Sequence, residues 1–162
     1  MANTLCDIVA SSIDPALKLL PQRMDSEPAR VTLLAIGLQE SRFLHRRQIG
    51  GPARGLWQFE RGGGVVGVLR HASSREYAKA VCAARGVDAE PYAVYEQLEH
   101  DDVLAAAFAR LLLWTDPKSL PAVGKSADAW DLYIRTWQPG KPHPETWPEM
   151  YARAEAVANE LV

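Results

Sequence analysis

Glu40 is the residue best suited to chemistry, because it follows a strongly apolar stretch of sequence. Val31, Leu34, Ala35 and Leu38 recur at helical spacing, so we expect Glu40 near the C-terminal end of a buried helix. Partial burial among apolar groups raises the pKa of a carboxyl, which then keeps its proton near neutral pH. Such an acid can protonate the leaving oxygen of a glycosidic bond.

A glycine-dense segment follows Glu40. Seven of the eleven glycines lie in the range 50–67. Because glycine permits turns with positive φ, we expect residues 50–64 to form an irregular lobe. A short β-hairpin around 56–59 is one arrangement that this segment allows. Trp57 and Phe59 are suited either to stacking on a sugar ring or to filling the core of the lobe, and the Gln58 amide can bind an acetamido group.

Glu60 is the candidate for a second carboxylate. Glycoside hydrolases usually place a second carboxylate across the cleft from the acid. Glu60 directly follows Gln58-Phe59 and could point into such a cleft. The alternative is a surface residue beside Arg61.

Apolar periodicity predicts helices along most of the remaining chain. The predicted helical segments are residues 5–12, ended by Asp14-Pro15, then 15–20, 27–40, 74–85, 92–98, 103–112, 130–137 and 147–161. We expect a mostly α fold of six to eight helices packed around one internal helix, with the glycine-rich lobe attached. The length fits one domain spanning residues 1–162.

Two motifs resemble those of the lysozyme-like superfamily, in its soluble lytic transglycosylase and goose-type lysozyme group. In that group a Glu-Ser pair ends the central helix, as Glu40-Ser41 does here. A Gly-Leu-x-Gln segment follows in the glycine-rich lobe, as Gly55-Leu56-Trp57-Gln58 does here. The resemblance covers roughly residues 31–147.

A third family motif, often Ala-x-x-Tyr-Asn-x-Gly, has its best match at Tyr133, although Ile134 stands where the family has Asn. Tyr133 also lies on an apolar stripe with Trp130 and Trp137, so core packing is the alternative to a role near Glu40. The segment 137–147 resembles phage endolysins and virion-associated muralytic enzymes.

The resemblance implies an α+β lysozyme-like domain that cleaves the β-1,4 bond between N-acetylmuramic acid and N-acetylglucosamine in peptidoglycan. It implies Glu40 as catalytic acid and base. The substrate-binding residues that it implies are Ser41, Gly55, Leu56, Trp57, Gln58 and Tyr133. A lytic transglycosylase needs no second carboxylate, whereas a hydrolase would use Glu60. Two alternatives are a chitinase-like hydrolase that uses Glu40 and Glu60, and a non-catalytic wall-binding or structural phage protein.

Composition limits the other function classes. The formal net charge is −2 with no basic block, so we expect no nucleic-acid partner. No His or Cys spacing fits a metal site, and the acids of His100-Asp101-Asp102 suit a helix N-terminus. We expect no metal or cofactor, and a monomer. Cys6 and Cys82 suit buried thiols, with pairing in an oxidising compartment as the alternative.

The first residues lack the basic and apolar regions of a signal peptide, and no run of residues suits a membrane span. We therefore expect synthesis in a bacterial host cytoplasm and action on the cell wall after release by a holin or carriage in a virion.

Overall fold

The computed structural model describes residues 3–160, and the chain is mostly helical, as the sequence predicts. The α-helices are α1 Asn3–Ile8, α2 Asp14–Lys18, α3 Glu27–Ser41, α4 Val66–Arg70, α5 Arg75–Arg85, α6 Pro91–Leu98, α7 Asp102–Trp114, α8 Ser126–Trp137 and α9 Trp147–Glu160. Two π-helical turns, Val9–Ile13 and Arg61–Val65, and a 3-10 turn, Gln22–Met24, complete the helical segments. Leu161, expected on the last helix, lies outside the described residues.

The N-terminal segment differs from its prediction, because Asp14-Pro15 does not end the helix. The turn Val9–Ile13 is π-helical and runs directly into α2. The Asp14 amide bonds to the Val9 carbonyl, and Pro15 lies in the first turn of α2. The wider i→i+5 bond of the π-helical turn lets the helix pass Pro15, although this residue has no N–H to donate.

Two helices, rather than the predicted single one, form the centre of the fold. Residues 31–38 of α3 are all buried, and so are residues 104–113 of α7. A helix that is apolar all round must be covered on every side. α3 packs mainly against α9, whereas α7 contacts α2, α5, α8, α3, α4 and α6. Apart from Arg110, residues 104–113 of α7 are apolar, which explains the central position of this helix.

The predicted hairpin is wrong in its details. Among residues 3–160 the only β pairings are isolated antiparallel bridges, from Arg54 to Arg47 and to Phe59. Arg54 and Phe59 exchange both backbone hydrogen bonds at 2.9 Å, so residues 55–58 form the turn itself and leave no length for strands. The prediction of irregular structure up to Gly64 is also wrong, since Arg61–Val65 is a π-helical turn.

Cys6 and Cys82 are both free thiols; Cys82 is buried and Cys6 is half-buried. Within residues 3–160 no helix is both long enough and apolar enough to span a membrane.

Candidate active site

The end of α3 sets the position of Glu40. Ser26 begins the helix by accepting the Ala29 amide at 3.1 Å, a strong N-cap interaction. Arg42 ends it with a left-handed conformation at φ 57°. The last turn of α3 therefore carries Glu40, whose side chain is half-buried at the point where the helix leaves the core.

Tyr133 donates a hydrogen bond to the Glu40 carboxyl, with 2.6 Å between Tyr133 Oη and Glu40 Oε1. Tyr133 is 3% exposed, and its ring stacks on Trp147 with centroids 5.5 Å apart and planes 4° apart. The sequence offered core packing and contact with Glu40 as alternatives for Tyr133, and in the structure this residue does both.

The environment raises the pKa of Glu40 to about 7, chiefly because burial disfavours the carboxylate. The hydrogen bond from Tyr133 opposes this by stabilising the charged form, and the negative charge of Glu60 reinforces it. Burial, followed by the charge of Glu40, raises the pKa of the Tyr133 hydroxyl. Tyr133 therefore stays a protonated donor while Glu40 titrates near neutral pH.

The turn 55–58 is fixed to α3 by buried polar contacts. Ser41 Oγ donates to the Leu56 carbonyl at 2.6 Å and accepts the Phe43 amide at 3.0 Å. Trp57 Nε1 donates to the Leu33 carbonyl at 2.8 Å, and the indole contacts Phe43 edge-on with centroids 5.4 Å apart.

Several of the predicted substrate-binding residues are therefore buried beneath the site and support it. Ser41, Leu56 and Trp57 are at most 3% exposed, so their side chains hold the floor of the site and do not line it. Gly55 is also buried. For Trp57, the structure matches the core interpretation and not stacking on an open sugar face.

Glu40 opens into a cleft of about 590 Å³, here called the Glu40 cleft. Its lining includes Gln39, Glu40, Gln48, Ile49, Gln58, Glu60, Tyr133, Trp137, Lys141 and His143. Of the predicted site residues, the structure therefore brings together Glu40, Glu60, Gln58 and Tyr133. Gln58 has a positive φ of 53°, and its amide donates to the Gly55 carbonyl at 2.9 Å. Glu60 is exposed and acts on Glu40 through its charge.

The sequence did not identify Trp137 as a cleft residue, although it lies one helical turn beyond Tyr133 on α8. Trp137 Nε1 donates to the Trp57 carbonyl at 2.9 Å, and its half-buried ring contacts Phe59 edge-on. The i, i+4 relation to Tyr133 was an available signal, because such residues share a helix face.

Gln39, Lys141 and His143 were also missed. Gln39 Nε2 donates to the His143 carbonyl at 3.0 Å and Gln39 Oε1 accepts the Thr146 hydroxyl at 3.0 Å. The proline-rich loop 138–144 is thus attached to the end of α3. Contacts over more than one hundred positions leave no local signal in the sequence.

Comparison with known proteins gives no match: no protein-family model, no curated protein and no solved structure matches this chain.

Proposed function

We propose that the protein is a glycosidase that cleaves the β-1,4 bond between N-acetylmuramic acid and N-acetylglucosamine in peptidoglycan, with Glu40 as acid and base. The observation that carries this proposal is the environment of the Glu40 carboxyl. Glu40 lies at an open cleft, accepts the Tyr133 hydroxyl at 2.6 Å and has its pKa raised to about 7. A general acid works best with a pKa close to the operating pH.

In the reaction that we propose, protonated Glu40 gives its proton to the glycosidic oxygen. The bond from that oxygen to the muramyl anomeric carbon breaks, and the sugar takes on oxocarbenium character. In a lytic transglycosylase the C6 hydroxyl of the same sugar then attacks the anomeric carbon. Its proton returns to Glu40, which regenerates the acid and leaves a 1,6-anhydro product. Tyr133 holds the carboxyl in place through both proton transfers.

Glu60 supports an alternative within the same reaction class. It lines the Glu40 cleft, and its charge reaches Glu40. A two-carboxylate hydrolase would use Glu60 to orient water or stabilise the cation, and its products would have reducing ends. The exposure of Glu60 favours the single-acid reaction, since a carboxylate open to water interacts weakly with a developing charge.

The test is mass spectrometry of purified peptidoglycan after incubation with the protein and with E40Q. We expect 1,6-anhydromuropeptides from the wild type and a loss of rate with E40Q of about 100- to 10,000-fold, the usual range for general acid catalysis. Circular dichroism of E40Q should match the wild type, because glutamine keeps the shape of the side chain.

Other products separate the alternatives. If the products have reducing ends and E60Q does not form them, the enzyme is a hydrolase and not a lytic transglycosylase. Turnover of soluble chitin oligomers at a rate similar to that of peptidoglycan would indicate the chitinase-like enzyme. Binding to peptidoglycan with no turnover, or full activity in E40Q, would contradict the proposal. The proposed setting, phage lysis or entry, rests on the resemblance of segment 137–147 and belongs to the same proposal.

A further inference from the structure

A second pocket lies at the C-terminal end of α7, between that helix and the loop after it. It encloses about 340 Å³, and its lining includes Ser73, Arg110, Trp114, Asp116, Lys118 and Ser119. None of these residues lines the Glu40 cleft. We call it the Arg110 pocket, after the residue at its base.

Arg110 is a buried cation without a protein counter-ion. Its side chain belongs to a residue that is 3% exposed, and its Nε donates to the Met24 carbonyl at 2.9 Å. Within residues 3–160 no carboxylate lies within ion-pair distance of its guanidinium. Burying an unpaired charge is unfavourable, and a bound anion would reduce this cost.

Arg110 lines the pocket, and its terminal N–H groups have no protein partner among the described residues. In the described part of the chain no fully enclosed side-chain nitrogen or oxygen lacks a hydrogen-bond partner. The Nε bond is the hydrogen bond that Arg110 makes there, so its terminal nitrogens must reach the open space that the residue lines. A guanidinium with free terminal N–H groups can bind an oxyanion in bidentate fashion.

Other charges around the pocket add to its positive potential. The Trp114 ring is contacted by the guanidinium of Arg110 at 5.6 Å and by that of Arg23 at 5.5 Å. Lys118 lies on the rim. The one carboxylate in the lining, Asp116, is already paired with Arg135, with N–O distances of 3.0 and 3.2 Å.

Arg110 stays cationic under working conditions. Burial lowers its pKa to about 10, which leaves the guanidinium charged at neutral pH. The pocket therefore combines a permanent charge, unused donors and room for a small ligand.

We propose that the Arg110 pocket binds a phosphate group, with Arg110 as the bidentate donor and Lys118 as a second cation. Ser73 and Ser119 also line the pocket. The phosphate is either free or an ester on a larger molecule, because both present the same oxygens.

Isothermal titration calorimetry with inorganic phosphate and with glycerol 3-phosphate tests this, against sodium chloride at equal ionic strength. We expect saturable binding of both phosphates by the wild type and no heat with chloride. R110M should weaken binding by about tenfold or more, since a hydrogen bond to a charged group contributes about 1.5–3 kcal/mol. Tighter binding of the ester would identify a carried phosphate as the ligand.

Two further variants keep the test decisive. R153M removes an exposed arginine from α9 and changes the net charge as R110M does. Arg153 does not line the pocket, so R153M should bind phosphate like the wild type. K118Q alters only the exposed rim, so it should fold normally and bind several times more weakly. Equal binding by R110M and R153M, or no binding by the wild type beyond that of chloride, would overturn the proposal.

Discussion

The protonation of Glu40 depends on burial and on two neighbouring residues, which act in different directions. Burial raises its pKa, the Tyr133 hydroxyl lowers it and the charge of Glu60 raises it, with a resulting value of about 7. The active form proposed for cleavage is the protonated acid. Activity should therefore fall as the pH rises through about 7, well above the range of an exposed glutamate at about 4.3.

This balance predicts opposite shifts in two variants. E60Q removes a repulsive charge, so the pKa of Glu40 should fall and the alkaline limb of the pH–rate profile should move to lower pH. Y133F removes the hydrogen bond that favours the carboxylate, so the limb should move to higher pH. Measurement of kcat/KM against pH, which reports groups of the free enzyme, checks both shifts.

E60Q should also retain most of its activity at its own optimum, as expected for a residue that acts through charge. Arg153 provides the control, because R153M changes one charge on α9 and should leave the limb in place. Shifts of the same sign in E60Q and Y133F would mean that the contacts around Glu40 are not those described here.

The turn 55–58 packs closely against α6. Gly55 has φ +79°, and a Cβ at this position would lie 2.8 Å from the Leu98 carbonyl oxygen. The turn therefore requires glycine for two reasons, its left-handed backbone and the close approach of α6. Both constraints fix the floor beneath Glu40.

Gly55→Ala should destabilise the protein by about 2–5 kcal/mol, the sum of a left-handed backbone and an overpacked contact. Gly86→Ala is the matched control, because Gly86 has φ +71° but nothing within 4 Å of its Cβ position. It should lose only the backbone part, about 1–2 kcal/mol. Urea unfolding measures both, and equal losses would show that the Leu98 carbonyl moves aside freely.

Local signals explain which elements the sequence could predict. Ser26-Glu27-Pro28 begins α3 and Gly86 follows the end of α5, as expected from helix-capping chemistry. The hairpin prediction failed because the apolar residues Leu56, Trp57 and Phe59 can be buried in a turn as well as in a strand. The direction of the Trp57 ring depends on the Leu33 carbonyl, a contact that no local pattern contains.

The candidate site was predictable only in part, for a similar reason. Glu40 could be predicted because the apolar helix that buries it is adjacent in sequence. The cleft wall formed by Trp137 and the loop 138–144 depends on tertiary contacts with the turn and with Gln39. The Arg110 pocket was not predicted, since the absence of a carboxylate partner is a property of the packed molecule.

At the scale of the whole molecule, the pH dependence of stability is a sum over all titrating groups. Arg135 lowers the pKa of Asp116 by hydrogen bonding, so that pair contributes stability that is lost as the pH falls. Glu40 has the opposite sign. Its folded pKa of about 7 exceeds the reference 4.5, so the folded state binds the proton more tightly than the unfolded state does. Its contribution is fully present below about pH 4.5 and is lost as the pH rises through about 7.

E40Q isolates this contribution, because glutamine does not titrate while every other group is unchanged. The difference in unfolding free energy between E40Q and the wild type should shift in favour of E40Q from pH 4.5 to pH 8. The separation between 4.5 and about 7 corresponds to about 3 kcal/mol. Urea unfolding of both proteins across this range measures it, with R153M as the control that keeps both Glu40 and Glu60. A difference that stays constant with pH would show that Glu40 is ionised as readily in the folded protein as in the unfolded chain, and the proposed acid would lose its physical basis.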